Sequence, residues 1–317
     1  MDTEDRDLRY EDIDLWPTGS IVRAIGEANA AASAAVLMAS DEIAAAVDAM
    51  TSRFAVESRL IGIAAGTPRR LLETGVFPEI NATYGLPLSQ MVTLGAGGIA
   101  ALTVPMEGAE DDEAAAVRGV LELKVGRNDI VIAVSASGTT PFVCYGLYTA
   151  NACGALTVGV GNNLKSPLLM NAQYPIYLAT GAEPVAGSTM MKAGMAQRGT
   201  LVNLLVSLMI RQGGVYKGRM FGVAAKCAKI DRRKMGMVAE TDGATANYDA
   251  ARKALEESGD PKTALLMLRG ISIDEARRIL AFCKGNLRTV DTFLKVDSST
   301  RIRMMHRAEL EKAVAKK

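Results

Sequence analysis

Small hydroxyl residues gather at one place in the chain, Ser135-Ala136-Ser137-Gly138-Thr139-Thr140-Pro141, directly after the apolar run Ile130-Val131-Ile132-Ala133-Val134. An apolar run followed by hydroxyls, glycine and proline reads as a strand-to-helix turn. Pro141 suits the first helical position, where a missing N–H costs nothing, and Gly138 lets the backbone turn tightly. Free amides at a helix N-terminus favour an anion. The hydroxyls of Ser135, Ser137 and Thr140, with Thr139 beside them, add donors. A charged, hydrogen-bonded phosphate oxygen gains about 1.5–3 kcal/mol per contact of this kind. The bland alternative is a hydroxyl-rich helix cap that binds nothing.

Two other turns resemble this one. Gly66-Thr67-Pro68-Arg69-Arg70 follows an apolar run, with Thr67 as the expected N-cap, and Gly187-Ser188-Thr189 precedes a long helix. Three such turns suggest a polyol phosphate held from several sides, with Gly66, Thr67, Ser188 and Thr189 joining the main cradle. Other chemistries are poorly served. His306 is the only histidine and lies in the charged tail, so a Ser-His-Asp triad or a histidine base is a poor fit. Cys144, Cys153, Cys227 and Cys283 have no metal-ligand spacing and read as free thiols of a cytoplasmic protein. By itself Glu79 reads as an exposed loop carboxylate. Glu107, Glu110, Asp111, Asp112 and Glu113 read as an acidic helix start favoured by the macrodipole.

The elements that must position these residues alternate along the chain. Short apolar runs at 59–65, 91–94, 129–134, 155–160 and 174–178 predict five buried strands. Helical stretches fall near 110–124, 141–152 and 164–171, and a long apolar helix spans about 189–212. Strand and helix in alternation predict an α/β fold, a parallel five-stranded sheet flanked by helices in the Rossmann manner. Residues 1–20 read as extended and 21–50 as Ala-rich helices. After Gly213-Gly214 the composition changes, and 244–294 predicts a small three-helix C-terminal helical module. The expected division is 1–57 N-terminal segment and helices, 58–240 ligand-binding domain, 241–296 three-helix module and 297–317 basic tail.

Composition narrows the partners. The chain has 317 residues, with 36 Lys+Arg against 35 Asp+Glu, so no net basic field attracts nucleic acid. Apolar residues make up 49%, an ordinary globular share. No run of charge-free apolar residues reaches the roughly 18–20 that a membrane span needs, so no membrane partner is expected. The acidic start MDTEDRDLRYEDIDLW lacks the apolar core of a signal peptide.

The cradle resembles the SIS sugar-phosphate-binding domain. Around it the chain resembles the N-acetylmuramic acid 6-phosphate etherase family over nearly its full length. The stretches that carry the likeness are Thr3-Glu4, Ala65-Gly66-Thr67, Glu79 with Thr83-Tyr84-Gly85, Glu107-Gly108-Ala109-Glu110-Asp111, the cradle, and Gly187-Ser188-Thr189-Met190-Met191-Lys192-Ala193-Gly194. The last of these adds Lys192 to the expected binding residues. The resemblance implies removal of D-lactate from C3 of an open-chain sugar phosphate, by loss of the C2 proton, protonation of the departing oxygen and addition of water. Two carboxyl groups in different protonation states do that work without metal, nucleotide or other cofactor. The matching positions are Glu79, which protonates the leaving group in the family, and Glu110, the second glutamate. The resemblance also implies a homodimer with the active site near the subunit interface and a phosphorylated amino sugar as substrate.

The chain departs from the family pattern in the first pocket loop. Gly66-Thr67-Pro68-Arg69-Arg70-Leu71-Leu72 stands where the family has Gly-Thr-Ser-Gly-Arg-Leu-Gly, and Met190 stands where an arginine is usual. One expectation is that Arg69 and Arg70 select a more acidic substrate than the family's usual one. Two alternatives to an etherase stay open on the same fold: a non-catalytic sugar-phosphate-binding regulator and a sugar-phosphate isomerase.

Overall fold

The computed structural model describes residues 2–104, 106–224, 227–241 and 247–314. Contacts divide the chain into two units, Met1–Glu79 with Pro87–Leu208, and Ile80–Leu86 with Met209–Lys317. The sequence boundaries at 57 and 240 therefore differ from those of the structure. The N-terminal helices pack into the sheet-bearing unit, and the chain after Leu208 joins the helical one.

The first unit opens with two 3-10 turns, Leu8–Tyr10 and Ile13–Leu15, rather than extended chain. Next come α1 (Thr18–Met38), α2 (Ser40–Arg53), β1 (Leu60–Ala64), α3 (Gly66–Arg70), a π-helical turn Leu71–Val76 and α4 (Phe77–Tyr84). After these run β2 (Met91–Gly95), α5 (Glu113–Glu122), β3 (Ile130–Ser135), α6 (Pro141–Ala152), β4 (Leu156–Gly161), α7 (Pro167–Asn171), β5 (Tyr174–Tyr177) and α8 (Lys192–Arg211). The five strands form one parallel sheet in the order β2-β1-β3-β4-β5. All five runs lie where apolar patterning predicted strands. β3 is buried at every position because helices cover both faces. Ile61, Ile63, Val131 and Ala133 pack with Ala116 and Val120 of α5 and Leu147 of α6, whereas Leu60, Ile130 and Ile132 point the other way and are equally buried. Each such Leu, Ile or Val side chain contributes roughly 1.5–3 kcal/mol of burial. At the far end of the sheet from the cradle, Arg59 grips the Asp129 carboxylate with Nε at 2.9 Å and Nη2 at 2.7 Å, joining the entries of β1 and β3.

Two helices, α1 and α8, meet the length and composition of a membrane span, which the search for uninterrupted apolar runs did not reveal. In this fold α8 is a core helix. α1 buries a stripe of small residues, Ala24, Ala28, Ala32 and Ala35, and Val36 sits against Gly199 of α8, where an added Cβ would lie 3.3 Å from it.

The second unit contains a short hairpin, β6 (Val215–Tyr216) with β7 (Arg219–Met220), and α9 (Ala228–Glu240), α10 (Tyr248–Ser258), α11 (Pro261–Leu268), α12 (Ile273–Phe282), α13 (Leu287–Leu294) and α14 (Ser298–Val314). The last of the three predicted stretches is two helices, so residues 248–294 hold four. Lys284 and Gly285 take positive φ, and Asn286 caps α13 by accepting from the amides of Arg288 and Thr289. Met237 and Val238 of α9 share one core with Ala251, Leu265, Ile279 and Phe293. Residues 244–246 of the first stretch and 315–317 of the tail lie outside the described residues.

Candidate active site

The strand order reverses between β1 and β3, and ligands of open α/β sheets bind outside the carboxyl ends of the strands at such a point. A two-lobed cleft opens there. One lobe, of about 370 Å³, is lined by Gly66, Thr67, Glu110, Ser135, Ser137, Thr139, Thr140 and Thr189 among others. The second, of about 400 Å³, shares Ala65, Gly66, Thr67 and Glu110 with it and adds Arg70, Ala101, Met106 and Glu107. Both volumes suit a small-molecule ligand.

The first lobe is the turn predicted to bind phosphate. Pro141 opens α6 as expected, and Gly138 takes φ +70°. A Cβ there would lie 2.2 Å from Ser166 Oγ, so glycine is required for space as well as for conformation. The hydroxyls hold the turn in shape. Ser135 Oγ accepts from the Gly138 amide at 3.1 Å and lies 2.9 Å from Thr140 Oγ1. Ser137 Oγ accepts from the amide and the hydroxyl of Thr139 at 3.2 and 3.0 Å. Among the described residues the amides of Ser137 and Thr140 have no partner, which leaves donors for an anion. Behind the turn, burial pushes the Cys144 thiol up to about 11. It is an inert packing group that touches the Gly138 carbonyl.

Glu110 and Asp111 sit on a 3-10 turn, Ala109–Asp111, and both line the first lobe. Only Asp112 and Glu113 of the acidic run behave as a helix start, with Asp112 accepting from the Ala115 amide at 2.8 Å. Glu79 stands elsewhere. It lies in the first turn of α4, is exposed, and lines neither lobe of the cleft. One chain therefore brings Glu110, but not Glu79, to the cradle.

Three further expectations change. Thr67 is not the N-cap of α3; Ala65 holds that place, and Thr67 falls inside the first turn, where it lines both lobes. Ser188 and Lys192 do not line the cleft. The N-terminus of α8 is already occupied, because the buried Glu183 carboxylate accepts from the amides of Lys192 and Ala193 at 2.8 Å each. Lys192 Nζ donates to the Thr180 carbonyl at 2.9 Å, and burial lowers its pKa. Arg69 does not reach the cleft either. Its side chain is 5% exposed, Nε donates to Glu73 at 2.9 Å, and Nη1 donates to the carbonyls of Ala96 and Gly98.

Glu4 also lines the cleft, a place the sequence reading did not assign to it. The Thr3 amide donates to Asn163 Oδ1 at 2.9 Å, and Asn163 Nδ2 donates back to Thr3 Oγ1 at 3.0 Å. This pins the N-terminal segment just past β4, and the next residue, Glu4, lines the first lobe. The signal was present, since Thr3-Glu4 belongs to the stretches that carry the family likeness.

Residues 42–151 match the family described as glucokinase regulatory protein N-terminal SIS domain. An N-acetylmuramic acid 6-phosphate etherase of Deinococcus radiodurans is 40% identical over 89% of this chain and 92% of its own. One of Lactobacillus gasseri is 35% identical over 92% of this chain and 97% of its own. Among solved structures, a putative sugar-phosphate isomerase of Listeria monocytogenes aligns at 15% identity with a TM-score of 0.45, over 62% of this chain and 92% of that one. Identity of this level across nine-tenths of the sequence places the chain in the N-acetylmuramic acid 6-phosphate etherase family.

Proposed function

We propose that the protein is a carbon–oxygen lyase that removes D-lactate from N-acetylmuramic acid 6-phosphate, or a closely related sugar phosphate, and leaves N-acetylglucosamine 6-phosphate. The observation that carries this reading is the position of Glu110, on the wall shared by a hydroxyl-lined lobe and a second lobe of similar size. A phosphate in the first lobe fixes one end of an open-chain sugar. The carbon chain then passes Glu110 on its way to the second lobe.

The reaction follows from acid–base chemistry on that chain. The C2–H bond is acidic because it lies α to the C1 aldehyde. A carboxylate takes the C2 proton, the C2–C3 double bond forms, and the C3–O bond breaks as a carboxylic acid protonates the lactate oxygen. Water then adds at C3 and a proton returns to C2. Glu110 is one of the two carboxyl groups. For the other we propose Glu79 of a second copy of the chain, because Glu79 of the same chain lies outside the cleft. A homodimer whose sites each draw on both copies satisfies this. The reading sets the enzyme among phosphorylated sugars in the cytoplasm, in keeping with four free thiols.

Turnover in water enriched in heavy oxygen tests the assignment. The label is expected at C3 of the sugar product and absent from the ether oxygen kept by lactate. Label in lactate instead would show cleavage of the other C–O bond and overturn the elimination. A non-catalytic regulator shares the phosphate lobe and is favoured by the single-chain position of Glu79. It predicts a rise in melting temperature with the sugar phosphate and no product.

A further inference from the structure

The two arginines of the altered first loop part company in the structure. Arg69 turns away from the cleft into a buried set of acceptors. Arg70 is the only cation that lines either lobe among the described residues. Its Nε donates to the Leu102 carbonyl at 2.9 Å and Nη2 reaches the Ala101 carbonyl at 3.4 Å. Nη1 has no partner among the described residues. The guanidinium is thus tethered along one edge, with donors left over on another, and a planar fork of that kind suits a carboxylate. The same lobe is lined by the small apolar side chains of Ala101 and Met106 and by the acidic Glu107 and Glu110. An anion entering beside two carboxyl groups needs a compensating charge, and Arg70 alone supplies one.

We infer that Arg70 is a specificity-determining residue that reads the acid end of the departing group: a short carboxylate with a methyl-sized branch, its charge on the guanidinium and its branch against Ala101 and Met106. The inference rests on the proposed function, since it takes the phosphate to lie in the other lobe and the breaking bond to lie near Glu110. It replaces the expectation that both arginines select a more acidic substrate, since Arg69 does not reach the cleft and Arg70 stands where the family loop has its own arginine. It also divides the recognition of a doubly anionic substrate, with neutral donors for the phosphate and a single cation for the carboxylate.

The test compares two substrates and one product across three proteins. The substrates are N-acetylmuramic acid 6-phosphate and its lactamide analogue, which has the same shape without the charge. The product, N-acetylglucosamine 6-phosphate, lacks the lactyl group. The wild-type enzyme should prefer the acid by about 10- to 100-fold in kcat/KM, the range of one charge-assisted contact. Arg70→Met should bring that preference to within about threefold of unity, mostly through KM on the acid, with product affinity unchanged within about twofold. Arg70→Lys should keep a reduced preference for the acid. A purely structural arginine would lower both substrates alike and keep their ratio, and that result in either variant overturns the inference while leaving the lyase reading intact. A parallel loss of product affinity overturns it too. Absence of turnover by wild-type protein on either substrate overturns the lyase reading, and the inference falls with it.

Discussion

Replacement of Gly95 by alanine tests how the protein accommodates an arginine where its family has a glycine. Gly95 ends β2, and a Cβ built there would lie 2.0 Å from Nε, 2.3 Å from Cδ and 2.5 Å from Cζ of Arg69. Ordinary contact needs more than 3 Å, so the guanidinium must move by over an ångström. It then loses Glu73 at 2.9 Å and the Ala96 carbonyl at 2.9 Å. Removing one partner of a buried, hydrogen-bonded charge costs about 3–5 kcal/mol. Glu73 keeps 29% of its side chain in water and regains some hydration, which sets the expectation for Gly95→Ala near the lower bound, about 3 kcal/mol. Arg69→Ala should cost a similar amount. In the double variant the new methyl occupies space that the guanidinium has left, so the total should stay near the cost of one change, a coupling of about 2–3 kcal/mol. Trp16, the only tryptophan, lies in the sheet-bearing unit, so its fluorescence in a urea titration follows that unit separately from the helical one. Additive losses, or a Gly95→Ala protein within about 0.5 kcal/mol of wild type, would show that Arg69 does not depend on the space above Gly95.

Three other outcomes are expected. Ser137→Ala should weaken binding of a sugar phosphate about tenfold, one lost contact to a charged oxygen, while the urea midpoint scarcely moves; equal affinity for phosphorylated and unphosphorylated sugar would count against the cradle. Glu79→Gln and Glu110→Gln should each abolish turnover alone, and an equimolar mixture after subunit exchange should recover about a quarter of the wild-type rate, since half the dimers then hold one intact site of two; no recovery by mixed dimers would mean that Glu79 does not act across copies. Asp297 accepts from the Ser299 hydroxyl and the Thr300 amide, which together hold its carboxyl at about 2. Its folded pKa is depressed, so the help it gives α14 is present above the unfolded value of about 3.9 and is lost as pH falls from there toward about 2. Asp297→Asn should therefore open a stability gap from wild type at neutral pH that has mostly closed by pH 2, and a gap independent of pH would contradict this.

The sheet was legible because its signal is local. A strand buried on both faces must be a short unbroken apolar run, and all five runs became strands in one parallel sheet. The hydroxyl turn was legible for a similar reason, since strand, glycine and proline at N1 determine the local backbone. What could not be read were long-range meetings. Nothing near Lys192 announces that Glu183 caps α8. Nothing near Thr3 announces Asn163, 160 residues away. The break between α12 and α13 was local but concealed by apolar periodicity that continues through it, although Gly285-Asn286 carried the stop and the cap.

The altered first loop shows why family membership and a changed pocket sequence are compatible. The cleft exists because the strand order reverses between β1 and β3, and no loop residue is needed to create it. The loop after β1 has two sides. Gly66, Thr67, Pro68 and Arg70 face the cleft, whereas Arg69 is buried against the end of β2. A large cation at position 69 therefore adds no charge to the cleft and instead ties the loop to the Ala96 and Gly98 carbonyls. A substitution that looks like the loss of close sugar contact becomes a brace for the turn that carries Thr67. Pro68 is the departure that does face the first lobe. It removes a hydroxyl and an amide donor from that wall, so in the proposed substrate complex the Ser135–Thr140 turn carries a larger share of the phosphate. The prediction for Ser137→Ala is sharpest for that reason: with donors missing on one side of the ester, the opposite side has less redundancy to hide behind.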